Sequence, residues 1–257
     1  MMNRIHNLFG RKKENILSIY FTAGYPSLDD TTQIIRHLDA AGVDLIELGM
    51  PFSDPLADGP VIQESGQKAI QNGMSVKVLF EQLKDLRSST EIPVILMGYL
   101  NPILQFGEEQ FIEKCVGTGI DGVIIPDMPL PYYKEHWEQL CRKKGLSNIL
   151  LITPETTDSR IAEIDVNSDG FIYMVSSNSI TGSNKAMDLQ KGYFERIEKM
   201  ELRNPRLIGF GIHDQQSFDN ACSYSNGAII GSAFINHLSK EGTSADSIQK
   251  FYKKIKP

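Results

Sequence analysis

Val43-Asp44-Leu45-Ile46-Glu47-Leu48-Gly49-Met50-Pro51-Phe52-Ser53-Asp54-Pro55-Leu56-Ala57-Asp58-Gly59-Pro60 is a short apolar run that gives way to a loop. Side chains alternate in an extended chain, so Val43, Leu45 and Glu47 share one face, and Ile46 and Leu48 the other. The Glu47 carboxylate is thereby set in line with aliphatic side chains, where a charge is expensive. Gly49, Met50-Pro51, Asp54-Pro55 and Gly59-Pro60 then exclude regular structure. Proline lacks the ladder donor and pushes the residue before it out of the helical region. The stretch thus delivers one carboxylate to the mouth of a loop that carries two more, Asp54 and Asp58.

The same kind of run recurs at 17–21, 45–48, 94–97, 122–125, 149–152, 171–175, 207–210 and 228–230. Short, continuously apolar runs fit strands covered on both faces, as in a parallel sheet. Helical patterns follow them at 28–41, 61–72 with 76–88, 107–118, 132–144, 158–164, 189–200, 214–224 and 232–238, and two more lie at 3–12 and 245–255. Eight strand–helix pairs in 257 residues predict an α/β fold, a (β/α)8 TIM barrel with an extra N-terminal helix, in one domain over residues 1–257. A doubly wound open sheet is the alternative. The first turn, Thr22-Ala23-Gly24-Tyr25-Pro26, lacks the G-x-G-x-x-G fingerprint of such sheets.

A net charge of −6 with no basic stripe argues against a nucleic-acid partner. The three cysteines, Cys115, Cys141 and Cys222, are an odd number without metal-type spacing, which fits a reducing cytoplasm. No signal-peptide core and no apolar run long enough to span a membrane is present, so a cytoplasmic protein without membrane association is expected. The five histidines are dispersed, so no metal site is expected. Neither a G-x-S-x-G elbow nor a P-loop appears.

In a TIM barrel the active groups come from the C-terminal ends of strands and the loops after them. Glu47 is either paired with a neighbouring barrel side chain or a general acid or base with a raised pKa. Asp58 is a turn-capping residue or a second carboxylate in a different environment, and Asp54 reads as a turn residue. Tyr173 shares an alternation face with Phe171 and Val175, as a core residue or as a hydroxyl near Glu47. Tyr99, Asn101 and Asp127 follow strands three and four and either line the mouth or cap turns. Gly209-Phe210-Gly211 and Gly231-Ser232 precede helices, either as ordinary turn glycines or as a phosphate site, which close backbone approach and helix N-termini favour. The polar stretch 176–188 is long for a strand–helix connection and is either a floppy insertion or a lid.

Residues 47–60 closely resemble the signature of the tryptophan synthase alpha subunit family. Phe21-Thr22-Ala23-Gly24-Tyr25-Pro26, the Tyr99/Asn101 turn, Pro126-Asp127, Thr181-Gly182, Gly209-Phe210-Gly211-Ile212 and Gly231-Ser232-Ala233 extend the resemblance over the whole chain. It implies retro-aldol cleavage of indole-3-glycerol phosphate to indole and glyceraldehyde 3-phosphate. By that resemblance Glu47 is the catalytic proton-transfer group and Asp58 the carboxylate that holds the indole N–H. Tyr173, Thr181, Tyr99 and Asp127 fall on the substrate side, and Gly182, Gly211, Gly231 and Ser232 match phosphate-binding positions. The family further implies a beta subunit as partner in an α2β2 complex, met through Asp54, Asn101, Pro102 and the lid. Pyridoxal phosphate belongs to that partner, and no cofactor is expected in this chain. The lid departs from the family pattern at Ser177 and Ser179, where arginine and glycine are usual. Poor closure and slow turnover of the isolated chain are therefore expected. A stand-alone lyase and a non-catalytic activating subunit are the other readings.

Overall fold

The computed structural model describes residues 3–176, 184–209 and 211–257. Nine short strands pair in parallel: β1 (Ile16–Thr22), β2 (Leu45–Gly49), β3 (Val94–Met97), β4 (Gly122–Ile124), β5 (Ser147–Asn148), β6 (Leu150–Ile152), β7 (Ile172–Val175), β8 (Arg206–Gly209) and β9 (Gly227–Ile230). Their order is β5-β4-β3-β2-β1-β9-β8-β7-β6. The two ends of that order are one stretch of chain divided only at Ile149, so the sheet returns upon itself as a barrel. The fifth predicted strand, 149–152, covers only the second half of this divided pair. The first half of the pair, β5, is polar, and Ser147 Oγ bonds Asn3 and Asp169 at the N-terminal rim, so an apolar pattern could not reveal it.

Alternation sorts the strand side chains into two layers. Ile16, Tyr20, Leu45, Ile95, Ile124, Phe171, Tyr173, Leu207 and Ile229 fill the interior. Leu17, Ile19, Ile46, Leu48, Val94, Leu96, Ile172, Met174, Ile208 and Ile230 face out and pack under the helices. This double coverage is why the runs read as continuously apolar. The helix Arg4–Arg11 is capped by Asn3 and buries Ile5, Leu8 and Phe9 in the inner layer, with the Phe9 and Phe171 rings 5.7 Å apart. It closes the N-terminal end of the barrel. The open end is therefore the C-terminal one.

Four expectations need correction. Val43 packs with the outer layer rather than with Leu45 and Glu47, because Gly42 ends the preceding helix in the left-handed region (φ 95°) and the strand starts only at Leu45. Gly49 belongs to β2 instead of the loop, in register with Thr22 and Met97. Asn101-Pro102 is not a turn but the first turn of a helix, Leu100–Phe106, where proline's missing donor costs nothing. The helix after β7 spans Asn184–Glu198, so the connection is shorter than the predicted 176–188. Ser177, Ser179, Thr181, Gly182 and Phe210 lie outside the described residues. Among the described residues, no helix is long and apolar enough to cross a membrane.

Candidate active site

Glu47 is wholly buried in the barrel interior, on the strand next to Tyr20. Its Oε1 accepts a hydrogen bond from Ser18 Oγ at 3.0 Å, and its Oε2 is buried without a partner among the described residues. Burial pushes the carboxyl up to about 8, against the opposing donation from Ser18. At neutral pH the group is therefore mostly a carboxylic acid, a proton donor held among apolar strand residues. Among the described residues no cation faces it to compensate an ionised form: burial and Ser18 set its protonation.

Asp58 reaches the same end of the barrel from the loop after β2. That loop is built by short-range bonds, Leu56 N–H to Asp54 O at 3.0 Å and Asp58 N–H to Pro55 O at 3.1 Å. Gln63, in the helix Pro60–Gln71, donates to the carbonyls of Pro55 and Asp58 and ties the loop down. The Tyr99 hydroxyl accepts from Ala57 N–H at 3.0 Å and donates to the Asp58 carboxylate. The ring of Phe52 lies 5.2 Å from that of Tyr99. Burial raises Asp58 to about 6, while the Tyr99 bond pulls it down. The two carboxyls therefore differ: near pH 7 Glu47 holds its proton and Asp58 has largely lost it.

A cavity of about 520 Å³ opens at this end, lined among others by Tyr20, Asp58, Met97, Tyr173, Ile229 and Gly231. Its far side is formed by the turns after β8 and β9, at Gly211 and Ser232. Gly211 has φ +77°, a conformation that favours glycine. Gly231 precedes the helix Ser232–Glu241, whose first turn carries no acidic side chain. The helix N-terminus thus leaves backbone donors and partial positive charge beside the cavity, suited to an anion. Gly209 serves a different purpose from the phosphate approach expected of it. A Cβ there would fall 2.1 Å from the Tyr173 hydroxyl, and one on Gly49 equally near that of Tyr20. These two glycines make room for the two tyrosines at the cavity floor.

The structure brings Asp58, Tyr173, Gly211, Gly231 and Ser232 to one cavity and leaves Glu47 just beneath it. Tyr99 and Asp127 are not on the cavity wall. Tyr99 braces Asp58 from behind, and Asp127 caps the helix Leu100–Phe106 by accepting from Leu100 N–H at 2.9 Å. Asp54 and Asn101 are exposed, and Pro102 is half-buried, on the outer side of the loop and helix. Ser18, Tyr20 and Gln63 are functional neighbours that the sequence reading missed. Ser18, Tyr20 and Thr22 alternate on one face of β1, and that period of two was the available signal.

A family model described as "Tryptophan synthase alpha chain" matches residues 7–256. The tryptophan synthase alpha chain of Flavobacterium psychrophilum is 56% identical over 255 residues, covering 99% of this chain and 100% of that protein. That of Christiangramia forsetii is 54% identical over 256 residues, covering 99% of each. Among solved structures, the tryptophan synthase A-subunit of Pyrococcus furiosus superposes with a TM-score of 0.85 at 31% identity, covering 95% of this chain and 98% of that one. The tryptophan synthase alpha chain of Legionella pneumophila superposes with a TM-score of 0.86 at 30% identity, covering 100% and 98%. With a match over almost its full length, this chain belongs to the tryptophan synthase alpha chain family.

Proposed function

We propose that this chain cleaves indole-3-glycerol phosphate with Glu47 as the proton carrier and Asp58 as the electrostatic partner of the indole ring. The observation that carries the reading is the separation of the two carboxyls, about 8 for the buried Glu47 and about 6 for Asp58 at the cavity. Glu47 gives its proton to indole C3, and the ring nitrogen becomes positively charged. The Asp58 carboxylate holds that N–H and stabilises its charge. The bond from C3 to the glycerol carbon then breaks, its electron pair returns to the ring, and the glycerol hydroxyl proton passes to Glu47. Indole and glyceraldehyde 3-phosphate leave with Glu47 again protonated, so one residue serves as acid and then as base. Positioned proton transfer of this kind contributes about 10²–10⁴-fold. Gly211, Gly231 and Ser232 would hold the phosphate, and Tyr173 would stand beside the reacting carbon.

The family works with a beta subunit, and we assign this chain to an α2β2 complex whose pyridoxal phosphate resides in that partner. Leu56 is 94% exposed and Leu104 is also exposed, on a loop and a helix linked through Tyr99. Together with Asp54, Asn101 and Pro102 they would meet the partner. The three cysteines are unpaired, in keeping with a cytoplasmic location. Indole release by the purified chain, with and without its cognate beta subunit and alongside Glu47→Gln, tests the reading. Slow release that the partner accelerates and the variant abolishes is expected. Release unaffected by Glu47→Gln would refute it, and fast partner-independent release would favour a stand-alone lyase.

A further inference from the structure

Ser18 lies in β1 with no exposed surface, opposite Leu45 of β2. Leu45 is two residues nearer the N-terminal rim than Glu47, yet it is Ser18 Oγ that Glu47 Oε1 bonds, at 3.0 Å. The carboxyl therefore reaches past its register partner Tyr20 to the residue two places nearer the start of β1. Glu47 accordingly is absent from the cavity wall, whose floor is made by Tyr20 and Tyr173. Its other oxygen is buried and unpartnered among the described residues. Among the described residues, one neutral donor is thus the polar contact that fixes the side chain.

We propose that Ser18 is a positioning residue: its hydroxyl anchors the Glu47 carboxyl beneath the cavity floor. This rests on the reading that Glu47 carries the proton for cleavage. The other titratable groups facing Glu47 are Tyr20 on β1 and Tyr173 on β7, both kept protonated by burial, and its neighbour on β3 is the apolar Ile95. Ser18 is hence the group that favours the ionised carboxylate against burial. Removing its hydroxyl leaves burial unopposed and raises the affinity of Glu47 for its proton.

The test titrates Glu47 in the whole chain by infrared difference spectroscopy, its carboxylic band assigned by disappearance in Glu47→Gln. Ser18→Ala is expected to move the midpoint upward by about half a unit or more, and Ser18→Thr to keep the wild-type midpoint. In the same variants, kcat/KM for indole release at pH 9 is expected to rise about threefold in Ser18→Ala, because more Glu47 retains its proton. A packing defect would instead lower activity at every pH. An unshifted midpoint in Ser18→Ala overturns the proposal whatever the activity. A shifted midpoint in a chain that releases no indole would support the hold of Ser18 on Glu47 while contradicting the cleavage reading.

Discussion

Glu47 is a carboxyl kept neutral by its surroundings, and this has a cost that can be measured. Its affinity for the proton is higher in the folded chain than in the unfolded one. Folding therefore binds a proton between the ordinary glutamate range and about 8, and stability falls as pH rises through that window. Above pH 8 the ionised group is buried with only Ser18 to help it. Glu47→Gln is thus expected to be more stable than the wild type at pH 9, on the order of a few kcal/mol by urea unfolding, with the gap closing near pH 5. The place of Glu47 could be read from alternation, since Leu45 and Glu47 do share the inner face. Its protonation could not, because it follows from burial by strands spread over the whole chain. Ser18 and Tyr20 escaped notice for a related reason: a continuous apolar run hides two hydroxyls that only its alternation separates.

The loop after β2 and the helix Leu100–Phe106 act as one support for Asp58. Tyr99 joins them, taking Ala57 N–H, stacking near Phe52 and donating to Asp58. Its donation favours the Asp58 carboxylate, so Tyr99→Phe is expected to raise the Asp58 pKa above about 6. Indole release would then fall severalfold near pH 6.5 and approach the wild-type value as pH rises towards 8, which a pH series of kcat/KM would reveal. Prolines and glycines made the loop after β2 legible in the sequence. They concealed the helix Leu100–Phe106, since proline reads as a breaker unless the helix start just before it is known. That start is marked by Asp127, a long-range cap from another strand end, which spacing along the chain does not disclose.

Barrel closure brings these parts together. The apolar runs anticipated the architecture because each strand is covered on both faces. They did not anticipate the divided fifth strand, whose polar half is satisfied by the N-terminal helix cap and by Asp169. Outside the barrel mouth, Leu56 on the loop after β2 is almost fully exposed. Leu56→Asp is expected to leave the thermal midpoint unchanged while weakening association with the beta subunit by at least about tenfold in calorimetric titration. The most direct measurement is the pH dependence of kcat/KM for indole release by the wild type and Glu47→Gln, with the beta subunit present. We expect a bell with a lower limb near 6 from Asp58 and an upper limb near 8 from Glu47, and a loss of about 100-fold or more in the variant. Activity that instead climbs to a plateau above pH 8, or that survives in Glu47→Gln, would contradict Glu47 as the proton donor.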